Sequence, residues 1–236
     1  MCTGRENVGP VLGGCRHRKQ GFTGENSEGD CMVVSIEIMQ GRKWVKRAML
    51  KTIHLKPVTD DLSDDTFSRL LMAGHSPIRQ FRVWVDLDKL EERVHTHFVR
   101  HRGADFSVGS FREDWLKELG LNLDDFRDEN GVWLRNMGFA VGSDVLMHMA
   151  RQRLCTCAWS GTRQAMEEIR KEMVLVDPVL ASYLLRPCVW CGFCPETTKY
   201  CGYMETPKYE RERDWIVSES IRLRTRKVKK NECRKD

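Results

Sequence analysis

This 236-residue chain reads as one mixed domain of strands and helices with a tail at each end. Three observations predict it. A β-branched run, Met32, Val33, Val34, Ile36 and Ile38, has the length and composition of a core strand of about eight residues. Later stretches instead repeat apolar residues at helical spacing: Leu90, Val94 and His97 or Phe98, then Leu146 and Met149, then Ala165, Met166, Ile169 and Met173. The length and a hydrophobic content of 41% suffice to bury a substantial core.

Taken in order, residues 1–30 hold seven glycines and few large apolar side chains. Burial there cannot offset the entropy of ordering, which predicts a flexible N-terminal segment ahead of a main domain at 31–220. After the first strand, Trp44 to Ile53 reads as a short helix or a helix-strand junction. An acidic loop from Pro57 to Asp65 follows, in which Ser63 or Asp64 caps a helix over Thr66 to Ala73 that Gly74 ends. Phe81 to Val85 reads as a strand, and Asp86 or Asp88 as the cap of a helix that carries Leu90, Val94 and His101 on one face. A polar loop then runs to Arg112, a charged stretch to Asn130, and a buried pattern from Val132 to Val141. Gly142 to Arg153 is a helix with Arg153 on its apolar stripe, and a further helix ends at Asp177-Pro178. A guanidinium so placed needs either an internal carboxylate or a ligand.

Charge narrows the function. The net charge is +5, but residues 221–236 carry eight Lys/Arg against two Asp/Glu, a net of +6, so the remainder is 5 − 6 = −1. A globally cationic nucleic-acid-binding face is not supported; a basic C-terminal tail making weak phosphate contacts is. No apolar run is long enough to span a bilayer and the N-terminus lacks the core of a secretory signal, which points to a cytoplasmic protein with no membrane contact. Ten cysteines in that setting point to reduced thiols or a metal site rather than disulfides.

The chemistry concentrates in His95 to Arg112. Arg100, His101 and Arg102 put two permanent charges and an imidazole at one spot, and Ser107, Gly109, Ser110 and Arg112 follow within a dozen residues. Arginine forks match phosphate oxygens, and hydroxyls and an approachable glycine backbone complete a cradle, so the expected guest is phosphorylated. A metal shared by His97 and His101 is disfavoured, because no third ligand is near and the arginines repel a cation.

Arg100-His101-Arg102, seven residues and then Ser110, with Arg112 beyond, resembles the signature of the flavin-dependent thymidylate synthases, the ThyX family. Gly74-His75-Ser76-Pro77 ahead of a strand and Arg153-Leu154-Cys155 at a helix end extend the resemblance, which covers about Cys31 to Gly202. It implies an α+β domain, a central antiparallel sheet flanked by helices, that assembles as a homotetramer with active sites at subunit interfaces. It implies conversion of dUMP to dTMP with 5,10-methylenetetrahydrofolate as carbon donor and FAD, reduced by NADPH, as hydride donor. FAD then falls to His75, Ser76, Arg100, His101, Arg102 and His148, and dUMP to His97, Arg100, Gly109, Ser110, Arg112 and Arg153, with Arg153 and Ser110 the catalytic pair. The connection from Arg112 to Arg153 is shorter than the family's, and Arg127 or Arg135 is the candidate to supply its phosphate-binding arginine.

Two other readings stay open. Asp105 and Val108 stand where the family has serine and glutamate, which suits a relative giving another one-carbon product at C5 of the pyrimidine. Cys188, Cys191, Cys194 and Cys201 have spacings compatible with zinc or an iron-sulfur cluster, and with the basic tail they suit a non-catalytic nucleic-acid module; reduced, packed cysteines are the alternative.

Overall fold

The computed structural model describes residues 32–56 and 60–232, with side chains to 225. The expected N-terminal segment 1–30 lies outside the described residues. Strands β1 (Val33–Gln40), β2 (Arg82–Glu91), β3 (Ala104–Val108) and β4 (Leu134–Gly142) form one sheet in the order β1-β2-β4-β3, every pair antiparallel. The expected α+β class, an antiparallel sheet flanked by helices, is therefore what the chain adopts.

Alternation of side chains gives the sheet two unlike faces. On one, Val34 faces Leu87, Ile36 faces Val85, and Val85 and Phe106 both pair with Phe139. This face is the core, where Phe106 and Phe98 lie 5.2 and 6.1 Å from Phe139 between ring centroids. The other face carries Ser35, Glu37, Trp84, Asp86, Asp105 and Ser107.

β2 runs six residues past the expected Val85, so Asp86 and Asp88 are strand residues on the polar face rather than helix caps. Inward Val83, Val85 and Leu87 keep the two-residue period going, and tertiary pairing with β4 outweighs the local capping signal. A bulge between Leu87 and Leu90, with Lys89 at a φ of 59°, ends the regular ladder. Helix α3 (Glu92–Phe98) starts only after it, so Leu90 is buried from a strand, not from the helix. The expected polar loop before Ser110 is likewise the edge strand β3 over most of its length.

The remaining elements follow the sequence closely. Helix α1 (Arg42–Thr52) and helix α2 (Asp64–Ala73) come first, the latter closed by Gly74 in the left-handed region at φ 64°. A 3-10 turn over Ser76–Gln80 leads into β2. Helix α4 (Glu113–Glu118) occupies the charged stretch. Helix α5 (Ser143–Arg153) leaves β4 with Ser143 fully buried, its Oγ donating to the Ile78 carbonyl at 2.7 Å and its N–H to Phe81 at 2.9 Å. Helix α6 (Ser160–Val176) presents the expected stripe of Ala165, Met166, Ile169 and Met173, all at 0% exposure. Asp177 then caps helix α7 (Pro178–Ser182) and takes a bidentate pair from Arg42 at 2.9 Å.

Helices α8 (Pro187–Cys191) and α9 (Pro207–Glu232) close the chain. α9 passes straight through the expected boundary at 220/221: Leu223 is buried and Arg222 pairs with Glu219 and Asp65. Among the described residues no helix is long and apolar enough to cross a membrane.

Candidate functional site

The last turn of α3 and the last turn of α5 meet at a cationic centre. Arg153 Nε donates to His101 Nε2 at 2.7 Å, and its Nη2 donates to the His97 carbonyl at 2.6 Å. His101 is 6% exposed, and burial, reinforced by Arg153 and His148, pushes its pKa down to about 4. The imidazole is therefore neutral near pH 7 and accepts at Nε2, which leaves the proton on Nδ1. Burial and then the charge of Arg100 also lower the Arg153 pKa.

Around this pair the other expected residues gather. The His148 ring meets His101 edge-on at 6.3 Å and its Nε2 lies 3.0 Å from the Gln152 amide. His97 Nδ1 shares a 2.8 Å hydrogen bond with Thr162 Oγ1, and its ring stands edge-on to Trp159 at 6.3 Å. Arg100 and Arg102 are exposed beside them. Among the described residues Arg100, Arg102 and Arg153 pair with no carboxylate, so the guanidinium on the apolar stripe of α5 answers to histidine and a carbonyl, not to an internal acid.

Gly109, Ser110 and Arg112 are elsewhere. The four residue steps of β3 from Ala104 to Val108 carry the chain about 13 Å at the usual strand rise, so these residues sit at the opposite end of that edge strand. There Arg135 donates to the Gly109 carbonyl and to Glu92, each at 3.0 Å, and stacks over Phe111 at 4.0 Å. Ser110 Oγ accepts from the Arg112 N–H at 3.3 Å, and the Arg112 side chain turns onto Asp114 and over Trp115. Arg127 is taken up by Trp133, at 3.9 Å, and by the Gly131 carbonyl. Both candidate arginines border this half of the motif: Arg135 bonds to Gly109 directly, and Arg127 stacks on Trp133, whose ring lies 4.9 Å from Phe111. Asp105 is tied to Arg82 at 2.8 Å.

His75 and Ser76 form a third location, the mouth of a small cavity on another face of α5, lined also by Arg79, Asp144, Met147 and Arg151. Cys188, Cys191, Cys194 and Cys201 are free thiols. Cys188 is buried on α8 with its thiol pushed up to about 11 by burial, Cys191 is exposed, and Cys194 turns toward the Glu196 carbonyl. Among the described residues no group of three or more His, Cys, Asp or Glu is placed to hold a metal ion, although Cys155, Cys194 and Cys201 lie near enough to Cys188 to act on its thiol.

Sequence reading missed Thr162, Trp159 and Gln152. Trp159-Ser160-Gly161-Thr162 reads as an interruption between helices, yet it places Trp159 beneath the Arg93 guanidinium at 4.9 Å and Thr162 on His97. The available signal was Gly161, where a Cβ would run into the Trp159 ring.

Solved structures share this fold, an antiparallel sheet flanked by helices. One is a UMP/dUMP methylase, PolB, from Streptomyces cacaoi bound with 5-Br dUMP, at 12% identity and a TM-score of 0.50, covering 69% of this chain and 96% of that one. Another is the flavin-dependent thymidylate synthase ThyX of Helicobacter pylori complexed with FAD and dUMP, at 11% identity and a TM-score of 0.49, covering 64% of this chain and 100% of that one. At these identities the likeness is one of fold. No protein-family model matches the sequence, and no curated protein does.

Proposed function

We propose that this protein is a flavin-dependent thymidylate synthase, converting dUMP to dTMP with methylenetetrahydrofolate as carbon donor and NADPH-reduced FAD as hydride donor. The observation that carries the reading is Arg153, held by a neutral His101 and the His97 carbonyl with no carboxylate among the described residues, with the charge of Arg100 acting on it. A half-buried guanidinium with no carboxylate, and a second cation beside it, suits an anionic guest. The Arg-His-Arg resemblance and the fold shared with a UMP/dUMP methylase favour a pyrimidine nucleotide as that guest.

The donors present fit a flavin dinucleotide. Arg100 and Arg102 suit its diphosphate, and His148, with Gln152 behind it, offers a donor to a ring. The flavin, when bound, supplies the hydride chemistry. The chain supplies charge and orientation: Arg153, fixed through two of its nitrogens by His101 and His97, keeps the rest of its fork for the uracil, where a positive charge favours activation of C5. Ser110 and Arg112, with Arg135 behind Gly109, hold the nucleotide's phosphate.

The two halves lie at opposite ends of β3, so the reading includes association: Arg100–Arg153 of one chain meets Gly109–Arg112 of another, in a homotetramer. The weak nucleic-acid contact expected of residues 221–236 is left to the stretch beyond Arg222, which is already paired.

An absorbance titration with FAD, then dUMP, tests the proposal. The expected result is a flavin spectrum that dUMP perturbs in the wild type and not in Arg153→Ala, followed by dTMP on adding folate and NADPH. A protein that takes up no flavin would end this reading, and hydroxymethyl-dUMP in place of dTMP would move it to another one-carbon product.

A further inference from the structure

A buried hydroxyl stands behind the cationic centre. Thr162 lies in the first turn of α6 at 0% exposure, and its Oγ1 is 2.8 Å from His97 Nδ1. Its side chain makes no other hydrogen bond among the described residues. The turn that delivers it is tightly set. The Arg163 N–H donates to the Trp159 carbonyl at 3.0 Å, and the Arg163 guanidinium donates to the Thr156 carbonyl at 3.3 Å. A Cβ on Gly161 would come within 3.1 Å of Val94 on α3, besides striking the Trp159 ring. Glycine there lets α6 start this close to α3, and the close start brings a hydroxyl within reach of the imidazole.

A hydrogen bond between a hydroxyl and an imidazole nitrogen can run either way, and the surroundings decide its direction. If Nδ1 carried the proton and donated it, the Thr162 O–H would be left in the interior as a buried donor without an acceptor. If the O–H donates, Nδ1 is the bare nitrogen and no donor is orphaned. The ring is also neutral near pH 7, because burial, then the charges of Arg153, Arg100 and Arg93, hold His97 below its ordinary value. A neutral imidazole whose Nδ1 accepts has its one proton on Nε2. Nε2 makes no hydrogen bond among the described residues. His97 thus has a donor to spare at the centre where Arg153 Nη2 donates to its carbonyl at 2.6 Å.

We infer that Thr162 is a positioning residue that locks neutral His97 in the tautomer with its proton on Nε2, and so presents a hydrogen-bond donor to an acceptor oxygen of the nucleotide. For its ligand the inference rests on the nucleotide reading given above. An Nε2–H meets a carbonyl, hydroxyl or phosphate oxygen, whereas the other tautomer would offer a bare nitrogen at the same place and repel it. Because the proton and the ring are fixed before the ligand arrives, binding does not have to order them. Trp159, edge-on to the ring at 6.3 Å, packs against it and opposes a flip that would exchange the two nitrogens.

Nitrogen NMR of the full chain, isotopically labelled in the histidine imidazoles, reads the tautomer directly, with the His97 signals assigned through His97→Ala. The expected spectrum near pH 7 has a protonated Nε2 and a bare Nδ1 in the wild type and in Thr162→Ser, and a mixture of tautomers in Thr162→Val. Equilibrium titration with dUMP supplies the second reading. Thr162→Val should bind about fivefold more weakly, the worth of one neutral hydrogen bond, and Thr162→Ser should bind like the wild type. In a His97→Ala background Thr162→Val should add no further loss, because a residue that acts through His97 has nothing left to act on. Should Thr162→Val fail to fold, Thr162→Ala takes its place, and the wild-type spectrum decides the tautomer in either case. A wild-type proton on Nδ1, a tautomer or a dUMP affinity that Thr162→Val leaves unchanged, or an equal loss with and without His97 overturns the inference and leaves the nucleotide site standing. A wild type that binds no dUMP overturns the nucleotide reading and this inference together.

Discussion

At the scale of single residues, the centre rests on a neutral imidazole facing an arginine. His101 accepts from Arg153 only while unprotonated, and its pKa of about 4 keeps it so. In the unfolded chain the same histidine titrates near its ordinary value of about 6.5. The stability tied to this arrangement is thus complete above about pH 6.5 and lost progressively as pH falls toward 4, because the unfolded state binds a proton the native state refuses. His95 and His97, also depressed, mainly by burial, add to the slope in the same sense. Thermal midpoints should fall between pH 7.5 and pH 5, and the fall should be smaller in His101→Gln; an equal fall in both would show that His101 is not the group concerned. For Arg153→Ala, losing charge-assisted bonds worth about 2–3 kcal/mol predicts dUMP binding weaker by roughly 30- to 150-fold with the fold retained, read by equilibrium binding and circular dichroism. The burial of Arg153 was legible from its place on the Leu146–Met149 stripe. Its partner was not, since only the shared packing of α3 and α5 on β4 and α6 brings His97 and His101 to it.

At the scale of elements, local signals and sheet pairing compete. Asp86 and Asp88 look like caps because capping is read over three or four residues, whereas the strand that absorbs them is stabilised by partners about fifty residues away in sequence. The Trp84 indole lies across Gly138 on the polar face and donates to Asp86 Oδ1 at 2.8 Å. A Cβ at Gly138 would collide with that ring and come within 2.9 Å of the carboxylate, in the middle of two ladders. Gly138→Ala should therefore cost about 1–3 kcal/mol, the usual range for overpacking, with a changed Trp84 fluorescence as the local sign. A denaturant midpoint equal to wild type would mean that Trp84 swings clear at no cost. Thr162→Val offers a second check at the same scale, because it keeps the shape at the start of α6 and removes only the bond to His97. A loss of about 1 kcal/mol is expected, together with a displaced His97 resonance. Helices α5 and α6 were legible in advance since their stripes are long and periodic; β3 was not, because its five residues alternate too briefly to separate from a polar loop.

At the scale of the whole molecule, the sheet order β1-β2-β4-β3 explains why a motif continuous in sequence is divided in space. β3 is an edge strand, so the chain enters it beside Arg100–Arg153 and leaves it beside Gly109–Arg112, with nothing to fold the two ends together. Sequence spacing shows that both halves exist and cannot show this separation, which belongs to topology. If one active site draws its halves from two chains, a variant broken in one half and a variant broken in the other should rescue each other. Arg153→Ala and Ser110→Ala/Arg112→Ala, each inactive alone, should when co-expressed yield about a quarter of wild-type turnover, because random pairing across a symmetric interface leaves one site in four with both halves intact. Size-exclusion chromatography with light scattering should find every one of these proteins in the same oligomer. Activity that stays at the level of the separate variants, in an oligomer shown to contain both chains, would place the whole site within one chain and require β3 to swing its far end back toward Arg153.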